Sequence, residues 1–351
     1  MRLATLALAL LATAGCSRPV VPTATPDRFS IIRSYACESD VAEPQPAWNP
    51  ATDQLLLRNS KGFILHQEGR DRREVFRSER GMDTGLPAWT GPSQFVFGPL
   101  SNLNRLPDGS LFVATQGISV VDVVDGATKT AVNARLLAPQ GCRPRPSGDV
   151  IFAQSGRRMI YLDRFGTITD AGEGFWPEPE PRTGSTGMAW QDTPVMEPDI
   201  WTGRPARGFL NIRWSKGDVD RVPGATQARW TADGRVVATV LRGEPATGKP
   251  WWTAGTDVVV ISPGGQVRII APGARDGEPH PSQPVVAVTA PDGGVTLVGL
   301  DGSEPFRLTF TGNRPRWSHD GLRLAVEETG NAGATTIRVH VLKIDLPSPA
   351  K

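Results

Sequence analysis

The stretch NRPRWSHDGLRLAVEE at residues 313–328 is a close echo of QARWTADGRVVATV at 227–240. Both place an arginine (Arg316 or Arg229), a tryptophan (Trp317 or Trp230), a short loop ending in Asp-Gly and then a run of apolar residues in the same order. Asp233-Gly234 and Asp320-Gly321 provide the left-handed backbone of a tight reversal, which glycine adopts without a Cβ clash. Beyond the turn, Leu322, Leu324 and Val326 fall on one side of a strand by its period of two. The unit reads as strand, turn, strand.

Weaker copies run along the chain. They open with QPAWNPATDQLLLRN at 45–59, LPAWTGPSQFVFG at 86–98, CRPRPSGDVIFAQ at 142–154, TGMAWQDTP at 186–194 and PHPSQPVVAV at 279–288. Taking Trp48, Trp89, Pro144, Trp190, Trp230, Ser282 and Trp317 as markers, the openings recur about every 45 residues, the length of a four-stranded blade with variable loops. Further strand pairs follow the openings, as in TDVVVISPGGQVRII at 256–270 and RRMIYLDRFGTITD at 157–170. With 32 prolines and 38 glycines, no long window keeps a helical period. The expectation is an all-β chain forming a single β-propeller over 28–345, with a β-solenoid or paired sandwiches as alternatives.

The seven openings predict seven four-stranded blades from residue 45, six or eight being the alternatives. RLPDGSLFVA at 105–114 is read as a hairpin inside a long second blade, RFSIIRSY at 28–35 as a strand that completes the last blade, and 346–351 as a tail. A single blade cannot bury both its faces, whereas one stacked between copies of itself can. Trp48, Trp89, Trp190, Trp230 and Trp317 therefore read as packing between blades.

The run EPFRLT at 304–309, PRWSHDGLRLAV at 315–326 and TTIRVHVLKID at 335–345 resembles the WD-like repeat of the TolB-type propellers of the bacterial cell envelope. The resemblance covers 45–345 and is sharp at 227–241 and 301–328. Elsewhere the Ser-Pro-Asp-Gly element is replaced by Asn-Pro-Ala-Thr, Thr-Gly-Pro-Ser or Pro-Ser-Gly-Asp. It implies a propeller in the envelope. The α/β domain that precedes the propeller in TolB-type proteins has no counterpart between Cys16 and the first repeat, so their partners do not carry over.

The N-terminus MRLATLALALLATAGC joins one basic residue, an apolar core and small residues before Cys16, which predicts a signal peptide over 1–15 and an exported protein. Cys16 stands where a lipoprotein signal is lipidated, and the Pro- and Thr-rich 16–27 would then tether the body to the membrane. A cut after Ala12-Thr13-Ala14 is the alternative and would release a soluble periplasmic or secreted protein. Cys37 and Cys142 are then an even pair in an oxidising compartment, either bonded to each other or two separate buried thiols.

A formal charge of +2 with mixed signs argues against nucleic acid. GRDRREVFRSERG at 69–81 interleaves acids with its arginines and reads as a solvated loop. The chain lacks G-x-S-x-G, H-E-x-x-H and paired-Cys motifs, so no catalytic residue, metal ligand or cofactor is assigned. His66, His280, His319 and His340 read as structural or surface residues, with His280 and His319 the pair to inspect for a metal. The segment 171–213 reads as an irregular insertion carrying Phe175, Trp176, Trp201, Glu173, Glu178, Glu180 and Glu197, and 243–255 as a second one carrying Trp251 and Trp252. Aromatic loops on a rigid ring are places for binding. The functional expectation is a non-enzymatic, lipid-anchored envelope scaffold with a monomeric body, holding a protein or glycan on a rim of Phe175, Trp176, Trp201, Trp251 and Trp252. The alternative is a periplasmic hydrolase or lyase with its site in the central funnel.

Overall fold

The computed structural model describes residues 30–345, apart from 40–43, 45, 79–82, 85–86, 98, 106–110, 116–117, 125–126, 133–135, 138–142, 145–149, 156–157, 164–167, 193–207, 244–253, 304–305 and 329–336. The predicted signal peptide, Cys16, the tether over 16–27 and the tail over 346–351 lie outside the described residues, as do Cys142, Glu197, Trp201, Trp251 and Trp252.

Among the described residues the chain forms eight four-stranded antiparallel sheets. Numbered by the first strand of the repeating unit, sheet 1 is Ala47–Trp48, Leu55–Asn59, Gly62–His66 and Arg73–Arg77. Sheet 2 is Asp83–Thr84, Pro99–Arg105, Leu111–Thr115 and Leu136–Leu137, and sheet 3 is Ala88–Trp89, Gln94–Phe97, Ile118–Asp122 and Thr128–Val132. Sheet 4 is Arg143–Pro144, Val150–Ser155, Arg158–Asp163 and Ile168–Glu173. Sheet 5 is Phe175–Pro179, Met188–Gln191, Phe209–Arg213 and Val219–Pro223. Sheet 6 is Ala225–Trp230, Val236–Leu241, Thr256–Ser262 and Gln266–Pro272. Sheet 7 is Arg275–Pro279, Val285–Thr289, Gly294–Gly299 and Phe306–Thr311. Sheet 8 is Asn313–Trp317, Arg323–Glu327, Ile337–Asp345 and the N-terminal Ser30–Ser39, which pairs with Ile337–Asp345.

Burial explains why the second strands read as continuous apolar runs. Val236 and Ala238 pack in one cluster with Ala189, Leu210 and Ile212 of sheet 5, while Val237 between them packs with Val286 and Val288 of sheet 7. Ala287 instead joins Leu324 and Val326 of sheet 8, and Ala325 turns to Leu55 and Leu57 of sheet 1. Leu56 faces Phe95 and Phe97 of sheet 3. Alternate side chains of one strand serve two neighbouring sheets, so both pleat faces must be apolar. Neighbouring first strands also touch: sheet 1 meets sheet 3, sheets 3 to 8 meet in sequence, and sheet 8 meets sheet 1.

Five expectations change. Segment 171–213 is no insertion, because Phe175–Pro179 is the first strand of sheet 5; Trp190 lies on the second strand and Pro179 takes the first-strand place. In sheet 7 that place belongs to Pro279, with Ser282 in the turn beyond it. The arginine run contains the outer strand Arg73–Arg77, with Val75 buried and Arg73, Glu74 and Arg77 exposed, an alternation that a half-buried edge strand satisfies. The hairpin at 105–114 forms, but Gln94–Phe97 pairs directly with Ile118–Asp122, so the hairpin joins Asp83–Thr84 and Leu136–Leu137 in the separate sheet 2. Leu322 precedes its strand and is exposed, while Leu324 and Val326 are buried.

Candidate functional site

The first strands share a four-part local pattern. At its centre is the marker position, held by Trp48, Trp89, Pro144, Pro179, Trp230, Pro279 and Trp317. At three of the four tryptophan markers the indole N–H reaches to a neighbouring sheet: Trp48 Nε1 donates to the Arg316 carbonyl at 2.9 Å, Trp89 to Ala47 at 3.0 Å and Trp230 to Glu178 at 2.8 Å. Each acceptor is the residue just before that sheet's own marker. The Trp317 ring lies edge-on to His280, 4.8 Å between centroids. Trp48, Trp89, Trp230 and Trp317 thus pack between sheets, the first three with a directed hydrogen bond added, whereas Trp317 Nε1 is buried without a partner and Trp190 lies on a second strand.

The residue after the marker caps the turn into the second strand. Thr231 and Ser318 each accept a backbone N–H two strands' ends away, from Arg235 and Arg323 at 2.9 Å, and donate to Asp233 and Asp320 at 2.5 Å. Despite partial burial, hydrogen bonds from the Arg235 guanidinium and Thr231 hold Asp233, and those from Ser318 and the Leu322 N–H hold Asp320, below the usual carboxylate range. Asn49, Glu180 and His280 occupy the same place in sheets 1, 5 and 7. Glu180 is fully buried and is met by Arg182, Ser185 and, at 2.7 Å, Ser215. His280 accepts the Gln283 and Ser282 N–H groups on Nδ1 at 3.0 and 3.2 Å and donates Nε2–H to the Gly321 carbonyl at 3.1 Å. Both ring nitrogens are committed to backbone, which fixes the neutral tautomer and leaves no lone pair for a metal. Burial pushes the His280 imidazole below its ordinary value. Among the described residues no three His, Cys, Asp or Glu side chains gather in a metal-binding group.

The residue before the marker carries charge on five successive sheets, as Arg143, Glu178, Arg229, Glu278 and Arg316. Arg229 of sheet 6 reaches Glu178 of sheet 5 at 3.3 Å and Glu278 of sheet 7 at 3.2 Å, and Arg316 of sheet 8 reaches the same Glu278 at 3.1 Å. Acid, base, acid and base thus alternate along converging strands. Burial opposes the charge on Arg229, but Glu178, Glu278 and Asp276 outweigh it and hold the guanidinium above its ordinary value.

Three residues before the marker the backbone turns left-handed at non-glycine residues: Trp176 (φ 53°), Gln227 (55°), Asp276 (56°) and Arg314 (51°). A bulge sits at each place, between Phe175/Glu178, Thr226/Arg229, Arg275/Glu278 and Asn313/Arg316. Such residues cost about 1–3 kcal/mol apiece and gather where a side chain has to be re-aimed. Here they bring polar groups of neighbouring sheets together. Gln227 Nε2 donates to Asp276 Oδ1 at 2.7 Å, and Arg275 Nη2 to Asn313 Oδ1 at 2.7 Å. Desolvation, and Arg314 beside it, hold Arg275 below the usual guanidinium range although Asp276 opposes this.

Of the predicted rim, Trp176 is half-buried at this bulge and Phe175 lies beside it on the same strand. Residues 178–180, EPE, and 278–280, EPH, match in type and place, the signal that would have aligned sheet 5 with sheet 7. Cys37 is a free buried thiol among Leu55, Leu57 and Val339, its pKa pushed up to about 12 by burial.

No protein-family model matches the chain, and no curated protein matches it. Among solved structures it is similar to a chain in the crystal structure of the mitotic checkpoint complex, with a TM-score of 0.54 and 11% identity over 97% of this chain and 99% of that one. It is also similar to the tricorn protease, with a TM-score of 0.53 and 9% identity over 87% of this chain. This chain covers 33% of the tricorn protease. Identities this low speak to fold alone, and the fold they support is a β-propeller.

Proposed function

We propose that the chain is an exported, lipid-anchored binding scaffold of the bacterial cell envelope, a seven-bladed TolB-like propeller that holds a protein or glycan partner where its first strands converge. Sheets 1 and 3 to 8 are the blades, sheet 2 is an insertion into sheet 3, and Ser30–Ser39 closes the ring through sheet 8. The serial contacts of the seven first strands, including sheet 8 with sheet 1, favour this count.

The observation that carries the binding role is the recurrence of left-handed, non-glycine residues on four adjacent first strands. A packing requirement alone would be met by glycine at lower cost. Instead a half-buried aromatic, an amide, a buried acid and a base stand on adjacent strands, next to the alternating Glu178, Arg229, Glu278 and Arg316. A surface of mixed charge with one partly exposed indole suits a partner that contributes both hydrogen bonds and an apolar contact. Nothing in this arrangement supplies a nucleophile beside a free base, so the scaffold reading is preferred to a hydrolase or lyase.

The test is photocrosslinking in intact cells with a photoreactive phenylalanine analogue in place of Trp176, and separately in place of Ile269, which is exposed on the outer strand of sheet 6. One defined adduct from position 176 that is missing from position 269 is expected; identical products from both, or none from 176, would overturn the reading. Mass spectrometry of the mature N-terminus is expected to find a lipid on Cys16, and an unmodified chain beginning at Gly15 would remove the anchor.

A further inference from the structure

Away from the converging first strands, a cleft of about 390 Å³ opens between sheets 4 and 5. Tyr161, Thr169 and Asp170 line it from sheet 4, and Thr186, Gly187 and Arg213 from sheet 5. This volume lies within the range of small-molecule sites. Thr169, Asp170 and Thr186 are exposed, so the cleft is open to solvent.

The decisive feature is Arg213. It is half-buried, and its Nε is sealed from water without a hydrogen-bond partner. Arg323 also has a buried Nε lacking a partner, but its terminal nitrogens are engaged by Glu68, Asp53 and Asp320. Arg213 makes no side-chain hydrogen bond or ion pair among the described residues. An Nε–H deprived of water and left unpaired is costly, and the guanidinium that carries it is best satisfied by a planar oxyanion that takes Nε–H and a terminal N–H side by side.

The rest of the lining selects among oxyanions. Asp170, whose Oδ1 accepts the Gly172 N–H at 2.9 Å, places a carboxylate in the same cleft. One guanidinium and one carboxylate leave the lining neutral overall, which suits a zwitterion and gives a dianion such as phosphate no net attraction. The Thr186 hydroxyl is held by the Ser215 carbonyl at 3.3 Å, leaving its oxygen able to accept, and the Tyr161 ring offers an apolar wall. We infer that this cleft is a second binding site, for a small zwitterion of the amino-acid or short-peptide class. Its carboxylate sits on Arg213, its ammonium on Asp170 and its aliphatic stem on Tyr161.

The probe is the dipeptide alanylalanine, titrated into the mature protein and followed by calorimetry and by the ¹⁵N–¹H signal of Arg213 Nε. Saturable binding with movement of that signal is expected. Converting the dipeptide to its C-terminal amide, or Arg213→Gln, should each weaken binding about tenfold or more. The N-acetyl dipeptide and Asp170→Asn should weaken it several-fold, Arg213→Lys should restore part of the loss, and inorganic phosphate should not compete. No binding at millimolar dipeptide, or equal affinity for the dipeptide and its amide, overturns the proposal. The amide comparison uses the unsubstituted protein, so the proposal stays falsifiable if an Arg213 variant does not fold.

Discussion

Two joints between sheets solve one problem with different chemistry. Where sheet 5 meets sheet 6, Glu180 follows Glu178-Pro179, caps its own turn and holds Arg182, whose guanidinium lies over Gly234. Where sheet 7 meets sheet 8, His280 follows Glu278-Pro279 and lies over Gly321, donating to its carbonyl. Asn49 makes a third version, donating to the Pro92 carbonyl of sheet 3 at 2.8 Å. What recurs is a polar atom that receives the turn's N–H or hydroxyl groups and a second one that reaches the next sheet, while the residue type is free to change. The Asp-Gly glycine accordingly has two reasons to be glycine: a φ of 83° or 73°, and a neighbour where a Cβ would stand.

The largest expected effect separates these two reasons. Gly321→Ala pays the left-handed penalty and also drives a methyl into the buried His280 ring, for about 3 kcal/mol in all. Gly234→Ala meets only the flexible end of a half-exposed Arg182 and should cost about 1–2 kcal/mol. Denaturant unfolding of both variants, and of Gly321→Ala combined with His280→Ala, should show a coupling of at least about 1 kcal/mol in the second joint. Simple additivity there would mean that the ring is not what excludes the methyl.

A smaller difference concerns acid. The folded chain holds the His280 and His66 imidazoles below their ordinary value of 6.5, His66 at about 4 through burial and the nearby Arg72. The unfolded chain therefore takes up protons first as pH falls. Stability from these groups is complete above about 6.5 and declines below it, and for His66 the decline ends near 4. Unfolding midpoints between pH 8 and 4 should show this loss, and His280→Asn should reduce its slope; an unchanged slope would remove His280 as a contributor.

The smallest effect contrasts the basic residue after each Asp-Gly. Arg235 pairs within its own turn with Asp233, whereas Arg323 reaches from sheet 8 to Glu68 and Asp53 of sheet 1. Arg323→Met is expected to cost about 0.5–1 kcal/mol and Arg235→Met less, with the gap narrowing at high salt. Equal costs at low salt would show that the reach to sheet 1 contributes nothing.

Strand pairs around Asp-Gly or Pro-Gly-Gly turns were readable because turn chemistry and period-two burial are local. The displacement of the sheet 5 register was a failure of the same method. Trp190 looked like a marker because tryptophan marks sheets 1, 3, 6 and 8, whereas Pro179 and Glu180 fill the true place with residues that a search for Trp-Ser/Thr passes over. Trp176 reads from sequence as an aromatic residue of an inserted loop and stands instead on a strained first strand. Arg229 and Arg316 were legible as a shared repeat position, but their pairing with Glu278, like the role of Arg213, carried no signal, since a charged residue beside a strand reads as solvated unless its cross-sheet partners are known.

By itself the sequence determined the strands, the turns and the need for each sheet to be covered on both faces, because backbone geometry and alternation are set by residues a few positions apart. Only the tertiary structure decided which strand begins each sheet, which charges meet across sheets and that Arg213 lines a cleft without an ion pair among the described residues. Those outcomes depend on side chains some fifty residues apart, such as Arg229 and Glu278, arriving at the same few ångströms.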